Sequence, residues 1–235
     1  MSGGHHHHDH DHGHGHGHDH DHDHDHDHEH GHDHDHAPDD PAPPREYELL
    51  EQAIRELLIE KGLLTAEQIQ RQIDDMDSRT PMNGAKLVAK AWTDPAFKAR
   101  LLSEPKAVIQ EWGIDLEKSP ELMIVENTAS VHNVIVCTLC SCYPRAVLGV
   151  PPAWYKKKAY RARTVVEPRA VLAEFGTVLP DAVEVRVHDS TADLRYMVLP
   201  MRPAGTESWS EEQLAELVTR DALIGVTSAR APAAG

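Results

Sequence analysis

The chain has 235 residues, and residues 1–36 hold 18 of its 20 histidines and ten of its 39 acidic residues without a single Lys or Arg, so the formal net charge of −16 belongs mostly to that tail. The remainder carries 29 acidic against 23 basic residues, which leaves no basic stripe to grip nucleic acid, and no apolar run reaches the roughly 20 residues that span a bilayer. The start lacks the basic and apolar stretches of a secretory signal, and three cysteines inside six residues cannot staple distant parts of the chain, so a reducing, cytoplasmic setting is expected.

Residues 5–36 are almost wholly His alternating with Asp, Gly or Glu. A segment without apolar side chains cannot offset the entropy of ordering and is expected to be disordered, together with the Pro- and Asp-rich linker that ends at Pro44. Helices follow. Leu49, Leu50, Ala53, Ile54, Leu57 and Leu58 recur at helical spacing, and Gly62 is placed to end that helix. Thr65 and Gln68 form a capping box for a second helix through about Met76. Pro81, Asn83 and Gly84 are expected to break the pattern before a helix near Ala85 to Trp92. Further helices start at Asp94-Pro95 and after Ser103-Glu104-Pro105, the last stopping at Gly113. Residues 45–119 thus read as a helical arm suited to lying on another surface.

After Pro120 the pattern changes. Leu122 to Val125, Val134 to Val136, Val183 to Val187 and Tyr196 to Leu199 read as short strands. A loop runs through Pro144, Gly149, Pro151 and Pro152, a helix spans Pro168 to Phe175, and Ser210 with Gln213 caps a final helix ending near Arg220. The order predicts an α+β fold: a disordered tail and linker over 1–44, the arm over 45–119, a mixed α/β domain over 120–226, and a flexible C-terminus over 227–235.

The chemistry concentrates in Cys137-Thr138-Leu139-Cys140-Ser141-Cys142, directly after the second strand. Core packing explains it poorly, because Thr138 and Ser141 argue against an apolar cluster. A Cys140–Cys142 disulfide would be strained and would leave Cys137 single. A structural zinc site or an iron–sulfur cluster calls for four ligands, and the chain has no fourth cysteine. The spacing instead lets the sulfurs of Cys137, Cys140 and Cys142 reach one ion, with the backbone nitrogens of Ser141 and Cys142 close enough to join them once deprotonated. The nitrogen and sulfur of Cys142 close a five-membered chelate ring, as do the two nitrogens, and the Cys140 sulfur with the Ser141 nitrogen closes a six-membered one. Five such donors suit a trivalent transition metal and leave one octahedral position open for catalysis on water.

Val136 to Cys142 resembles the signature of the nitrile hydratase alpha subunit, and thiocyanate hydrolase carries a related metal-binding subunit. The likeness runs from about Glu46 to Val226. It includes Leu148 to Lys156, Tyr160 to Arg163, Glu167-Pro168-Arg169, Leu199 to Thr206 and Leu217 to Arg220. The resemblance implies a low-spin Co(III) centre, with Fe(III) as the alternative, that hydrates a nitrile to an amide; Thr138 and Tyr143 match the cobalt type. It further implies metal ligation by Cys137, Cys140, Ser141 and Cys142, and catalytic roles for Cys142, Cys140 and Ser141. Cys140 would be oxidised to a sulfinic acid and Cys142 to a sulfenic acid, while Cys137 stays a thiolate. The expected partner is a beta subunit whose arginines hold the oxidised sulfurs, in a heterotetramer of two alpha and two beta chains, with an activator or metallochaperone for loading and neither nucleic acid nor membrane among the partners. Arg145 stands where cobalt-type members often carry an aromatic, and His188 where a tryptophan is common. Both departures bear on substrate preference more than on chemistry. His188 and His132 themselves read as neutral histidines satisfied in the fold, and Lys156-Lys157-Lys158 as a solvated loop or a partner contact.

Two other readings stay open: a thiocyanate hydrolase subunit, and a metal-storage or metal-delivery protein whose working part is the tail. Imidazoles interleaved with carboxylates favour divalent cobalt, nickel, copper and zinc, so the tail is expected to gather such ions and feed cobalt to the cysteines.

Overall fold

The structure, a computed structural model, describes residues 45–117 and 119–232; the expected disordered tail and linker over 1–44, and the last three residues of the expected flexible C-terminus, lie outside them. Among the described residues are eleven helices and four strands in a mixed α and β arrangement.

Helices α1 (Arg45–Glu60) and α2 (Ala66–Ser78) form where the apolar spacing and the capping box place them. The Thr65 hydroxyl accepts from the Gln68 amide at 3.1 Å, and the Gln68 side chain accepts from the Thr65 amide at 2.8 Å. Neither helix buries a residue. Helix α3 (Pro81–Thr93) begins earlier than expected. Pro81 opens it instead of breaking it, because the first helical turn needs no amide hydrogen bond from that position. Gly84 lies inside α3 because the helix packs so closely there: a Cβ would come within 2.8 Å of Leu223 Cδ1. Leu87, Val88 and Ala89 of α3 enter the core. Asp94 caps α4 (Pro95–Ser103) by accepting from the Ala96 and Phe97 amides, and α5 (Pro105–Glu111) follows.

The four expected strands are present as β1 (Glu121–Glu126), β2 (Val131–Val136), β3 (Glu184–Asp189) and β4 (Leu194–Leu199). They pair in parallel, β1 with β4 and β2 with β3, as two two-stranded sheets. Parallel pairs need long crossovers, and helices supply them. Between β2 and β3 run α6 (Arg145–Leu148), α7 (Ala153–Lys156), α8 (Lys158–Val166) and α9 (Pro168–Glu174), so the segment read as one Pro/Gly loop and one helix holds four helices. The final helical segment is also two helices, α10 (Glu211–Glu216) and α11 (Arg220–Ile224). Thr219 splits them: its hydroxyl accepts from the Ala222 amide and starts a new helix. Beyond α11 the Arg230 amide donates to Leu217 O at 2.9 Å.

Strand β2 is buried from His132 to Val136, as a strand covered on both faces must be. Its polar members are satisfied internally. His132 Nε2 donates to Gly225 O at 2.7 Å, and Asn133 bonds Asn127, Glu126 O and His188. Gly225, with φ of +90°, permits this approach; a Cβ there would meet Asn133 O at 2.0 Å. Strand β2 is thereby fixed, and it delivers the chain directly into the cysteines. No described helix is long and apolar enough to cross a membrane.

Candidate metal centre

The cysteine loop leaves the end of β2, and its three thiols converge. All three cysteines are free, with Cys137 buried, Cys142 half-buried and Cys140 exposed. The Cys137 and Cys140 sulfurs are 3.3 Å apart, those of Cys140 and Cys142 are 3.2 Å apart, and all three lie within 4.8 Å of one another. No other group of three metal-ligating side chains comes together among the described residues. Two sulfurs bound to one ion at about 2.3 Å would be about 3.3 Å apart at a right angle and about 3.8 Å apart at the tetrahedral angle. The Cys137–Cys140 and Cys140–Cys142 separations lie near the first value, close enough for each pair to share one ion.

The protons of the cluster are shared unevenly. The thiols of Cys142 and Cys137 stabilise the Cys140 thiolate and bring its pKa down to about 7, helped by the amides of Cys142 and Ser141, which point at the same sulfur. Burial, with the proton shared with Cys140, pushes the Cys142 thiol up to about 12. The Cys140 amide donates to the Cys137 sulfur at 3.3 Å, which closes the loop on its own first cysteine.

Three side chains from outside the loop hold its backbone. The Asp189 carboxylate accepts from the Thr138 amide at 2.9 Å and from its hydroxyl at 2.6 Å. Strand register explains the placement: Val136 lies opposite Asp189, and the Ser190 amide donates to Val136 O at 2.7 Å. The Arg161 guanidinium donates to Thr138 O at 3.3 Å. The Tyr155 hydroxyl, on a fully buried ring, donates to Cys142 O at 2.9 Å. Burial raises the pKa of the Tyr155 and Tyr160 phenols, which keeps both protonated as donors. Tyr143, Trp154, Tyr155, Tyr160 and Phe175 pack ring against ring beneath the loop, with the Tyr143 and Tyr155 centroids 5.1 Å apart. Of these supports the sequence singled out none as part of the site. Tyr155 and Arg161 fall in segments noted only for family likeness, and Asp189 had no local signal, being joined to Thr138 across 51 residues.

Cys140, Ser141 and Cys142 open onto a cleft of about 370 Å³. Leu122, Tyr143 and Ala146 give it apolar walls, while Arg79, Arg145 and Arg195 add charge. His188 lies off the cleft, its Nε2 bonded to Asn133 at 2.8 Å and its ring 5.0 Å from that of Tyr196. His132 is buried against Gly225.

Fold and site together define a mixed α/β protein that presents three convergent cysteine thiols, a group that could hold a metal ion, at the mouth of a small cleft. The family model for the nitrile hydratase alpha chain matches residues 45–227, and the chain belongs to that family. It is 52% identical over 181 residues to the low-molecular weight cobalt-containing nitrile hydratase subunit alpha of Rhodococcus rhodochrous, a match covering 77% of this chain and 87% of that one. It is 46% identical over 192 residues to thiocyanate hydrolase subunit gamma of Thiobacillus thioparus, covering 77% and 79% of the two chains. Among solved structures, an Fe-type nitrile hydratase double mutant from Comamonas testosteroni superimposes with a TM-score of 0.74 at 48% identity, covering 81% of this chain and 94% of that one.

Proposed function

We propose that this chain is the metal-bearing alpha subunit of a cobalt nitrile hydratase, which adds one water to R–C≡N to give R–C(=O)NH₂. The observation that carries the reading is the convergence of three thiols at the cleft, within a chain of this family. Cys137, Cys140 and Cys142 would hold the ion through sulfur, and Ser141 and Cys142 through deprotonated amide nitrogen. These strong anionic donors suit Co(III), and Fe(III) less well in view of the cobalt-containing relative. Bound there, the ion supplies Lewis acidity toward the nitrile and water.

The chain's own groups prepare that site. Asp189 engages the Thr138 amide and hydroxyl and so anchors the start of the loop. Arg161 and Tyr155 fix the carbonyls on either side, Thr138 O and Cys142 O. Held this way, the loop does not have to be reorganised when substrate enters, which is how an outer shell raises metal affinity and rate. In the working form Cys140 would be a sulfinic acid and Cys142 a sulfenic acid, with Cys137 a thiolate; Cys142, which lines the cleft, would supply an oxygen nucleophile or activate water there. The partner is a beta subunit, in a heterotetramer of two alpha and two beta chains. Residues 5–36 gather divalent cobalt for the claw, through an activator or directly, because dense neutral imidazoles bind such ions.

The test is the metal content of the full chain co-expressed with its beta-type partner and washed with chelator. One cobalt per chain surviving the wash, a mass gain of three oxygens over residues 137–142, and amide formed from an aliphatic nitrile support the reading. Loose zinc and no turnover overturn it in favour of metal storage. Deleting residues 1–36 should lower cobalt loading only when cobalt is scarce; equal loading at every supply overturns the role of the tail.

A further inference from the structure

Among the described residues, five buried side-chain atoms lack a hydrogen-bond partner: the Tyr143 hydroxyl, Arg161 Nε, Ser190 Oγ, Arg220 Nε and Asp221 Oδ1. Such atoms are rare in folded chains, and each calls for a reason. Four belong to side chains engaged in other ways. Arg161 donates to Thr138 O through Nη1. Arg220 and Asp221 face each other at 3.8 Å and keep 38% and 35% of their side chains in solvent. Tyr143 packs its ring on Tyr155, and the charges of Arg220 and Asp221 reach its phenol. Ser190 is different. It is 2% exposed, and its single hydroxyl is the atom without a partner.

The strand register sets its place. Val136 pairs with Asp189, and the Ser190 amide donates to Val136 O at 2.7 Å, which carries Ser190 alongside the start of the cysteine loop. Tyr155 reaches the same loop, fully buried, with its hydroxyl donating to Cys142 O at 2.9 Å. Burial raises the pKa of that phenol, whereas the Ser190 hydroxyl lowers it, as a donor close to the phenol oxygen does. The hydroxyl is therefore near Tyr155 but outside hydrogen-bonding geometry, and rotation about the Cα–Cβ bond re-aims a serine hydroxyl among three staggered positions.

We propose that Ser190 is a positioning residue for the cysteine loop: when the thiols hold their ion, its hydroxyl donates to the Tyr155 oxygen, and Tyr155 passes the strengthened bond on to the Cys142 carbonyl. The inference rests on the metal-binding reading above. A phenol that accepts a hydrogen bond becomes a stronger donor, because each bond in a chain polarises the next. The series Ser190, Tyr155, Cys142 then steadies the peptide that leaves the last cysteine, and with it the Cys142 sulfur. A hydroxyl merely stranded by folding does none of this. Its removal takes away an unpaired buried group, so the fold gains stability and the metal is held as before.

The experiment uses the full chain, assembled with its beta-type partner and loaded with cobalt, as wild type, Ser190→Ala, Tyr155→Phe and the double variant. It reads the rate at which excess chelator removes the metal, the sulfur-to-metal absorption band, and kcat and KM separately for an aliphatic nitrile. We expect Ser190→Ala to release metal about tenfold faster, as loss of an outer-shell partner does, to shift the band, and to lower kcat with KM little changed. In the Tyr155→Phe background the same change should add less than about twofold, because the two residues act in series. A Ser190→Ala protein that melts higher, releases metal at the wild-type rate and keeps its band overturns the inference, as do losses that multiply in the double variant. Release and absorption are read whatever ion the cysteines hold. Coupling between Ser190 and Tyr155 in a chain that does not hydrate nitriles therefore keeps the inference and overturns the hydratase reading. Coupling absent from an active hydratase does the reverse, and a chain that holds no metal overturns both.

Discussion

The cysteine loop and the α1–α2 pair are both short segments, and the fold treats them in opposite ways. The loop sits on a buried strand and a packed aromatic cluster, with Asp189 accepting from Thr138 and Arg161 and Tyr155 donating to the Thr138 and Cys142 carbonyls. The α1–α2 pair has a capping box at α2 and an apolar stripe but buries nothing, leaving Leu50, Ile54 and Leu57 about half exposed. Isolated helices of this length are marginal in water and depend on packing of the apolar face. The difference separates two jobs. The chain fixes its own chemical geometry, whereas α1 and α2, the first two helices of the expected arm, offer an apolar surface of the sort that protein partners cover; α3, α4 and α5 join the core instead.

Breaking the claw itself should have the largest effect. Cys142→Ser removes a sulfur donor and one chelate ring; chelator-resistant cobalt should disappear, and hydration should fall at least about a thousandfold. Metal analysis beside an amide assay checks both, and retained inert cobalt would mean that Cys142 is not a ligand. Next comes the support. Asp189→Ala leaves the Thr138 amide and hydroxyl without their acceptor, and loss of such an outer-shell partner costs roughly 10- to 100-fold in metal affinity or activity. Unchanged loading and rate would show that the loop is held well enough by Arg161 and Tyr155.

The same contrast explains what could be read from the sequence. The convergence of the three thiols was legible because Cys137, Cys140 and Cys142 are near neighbours in the chain, so covalent geometry alone constrains them. The caps at Thr65 and Ser210 were legible for the same reason, each being a three-residue interaction. Strand positions showed in the apolar runs, yet their partners did not: parallel pairing of β2 with β3 depends on long crossovers whose packing no local pattern encodes. Asp189 and Arg195 reach the site only through those registers. Helices α6 and α7 were hidden by Gly149 and Pro152, which read as loop residues but serve as the C-cap of one short helix and the N-cap of the next. Gly149, with φ of +69°, also lets the Arg79 carbonyl approach where a Cβ would come within 2.3 Å, an approach visible only in three dimensions.

A smaller effect concerns pH and the strand beneath the claw. Burial lowers the pKa of His132, and burial together with the Arg186 charge lowers that of His188, below the ordinary 6.5. A histidine whose folded pKa is depressed favours folding while neutral. Its contribution is therefore complete above about pH 6.5 and is lost as pH falls through the folded pKa. Thermal stability should decline below pH 6.5, by a few degrees at about pH 5, and replacing both residues with Gln should flatten the curve. A midpoint unchanged between pH 7 and 5 in the parent chain would mean that neither ring is held neutral by the fold.

The smallest expected change tests the arm. Ile54 and Leu57 are 50% and 48% exposed, so Ile54→Ser with Leu57→Ser removes little buried apolar area from the chain on its own. Its stability should move by no more than about 0.5 kcal/mol, or roughly 1–2 °C. Assembly should respond differently. If the arm is the surface a beta-type partner covers, the same pair of changes removes two apolar contacts from that interface and should weaken association about tenfold or more, as read by sedimentation of the complex at several concentrations. A drop of many degrees in the chain alone would instead place α1 within the cooperative core. An unchanged association constant would leave the apolar stripe without a partner role, and the division between a self-sufficient claw and a partner-dependent arm would fail at the arm.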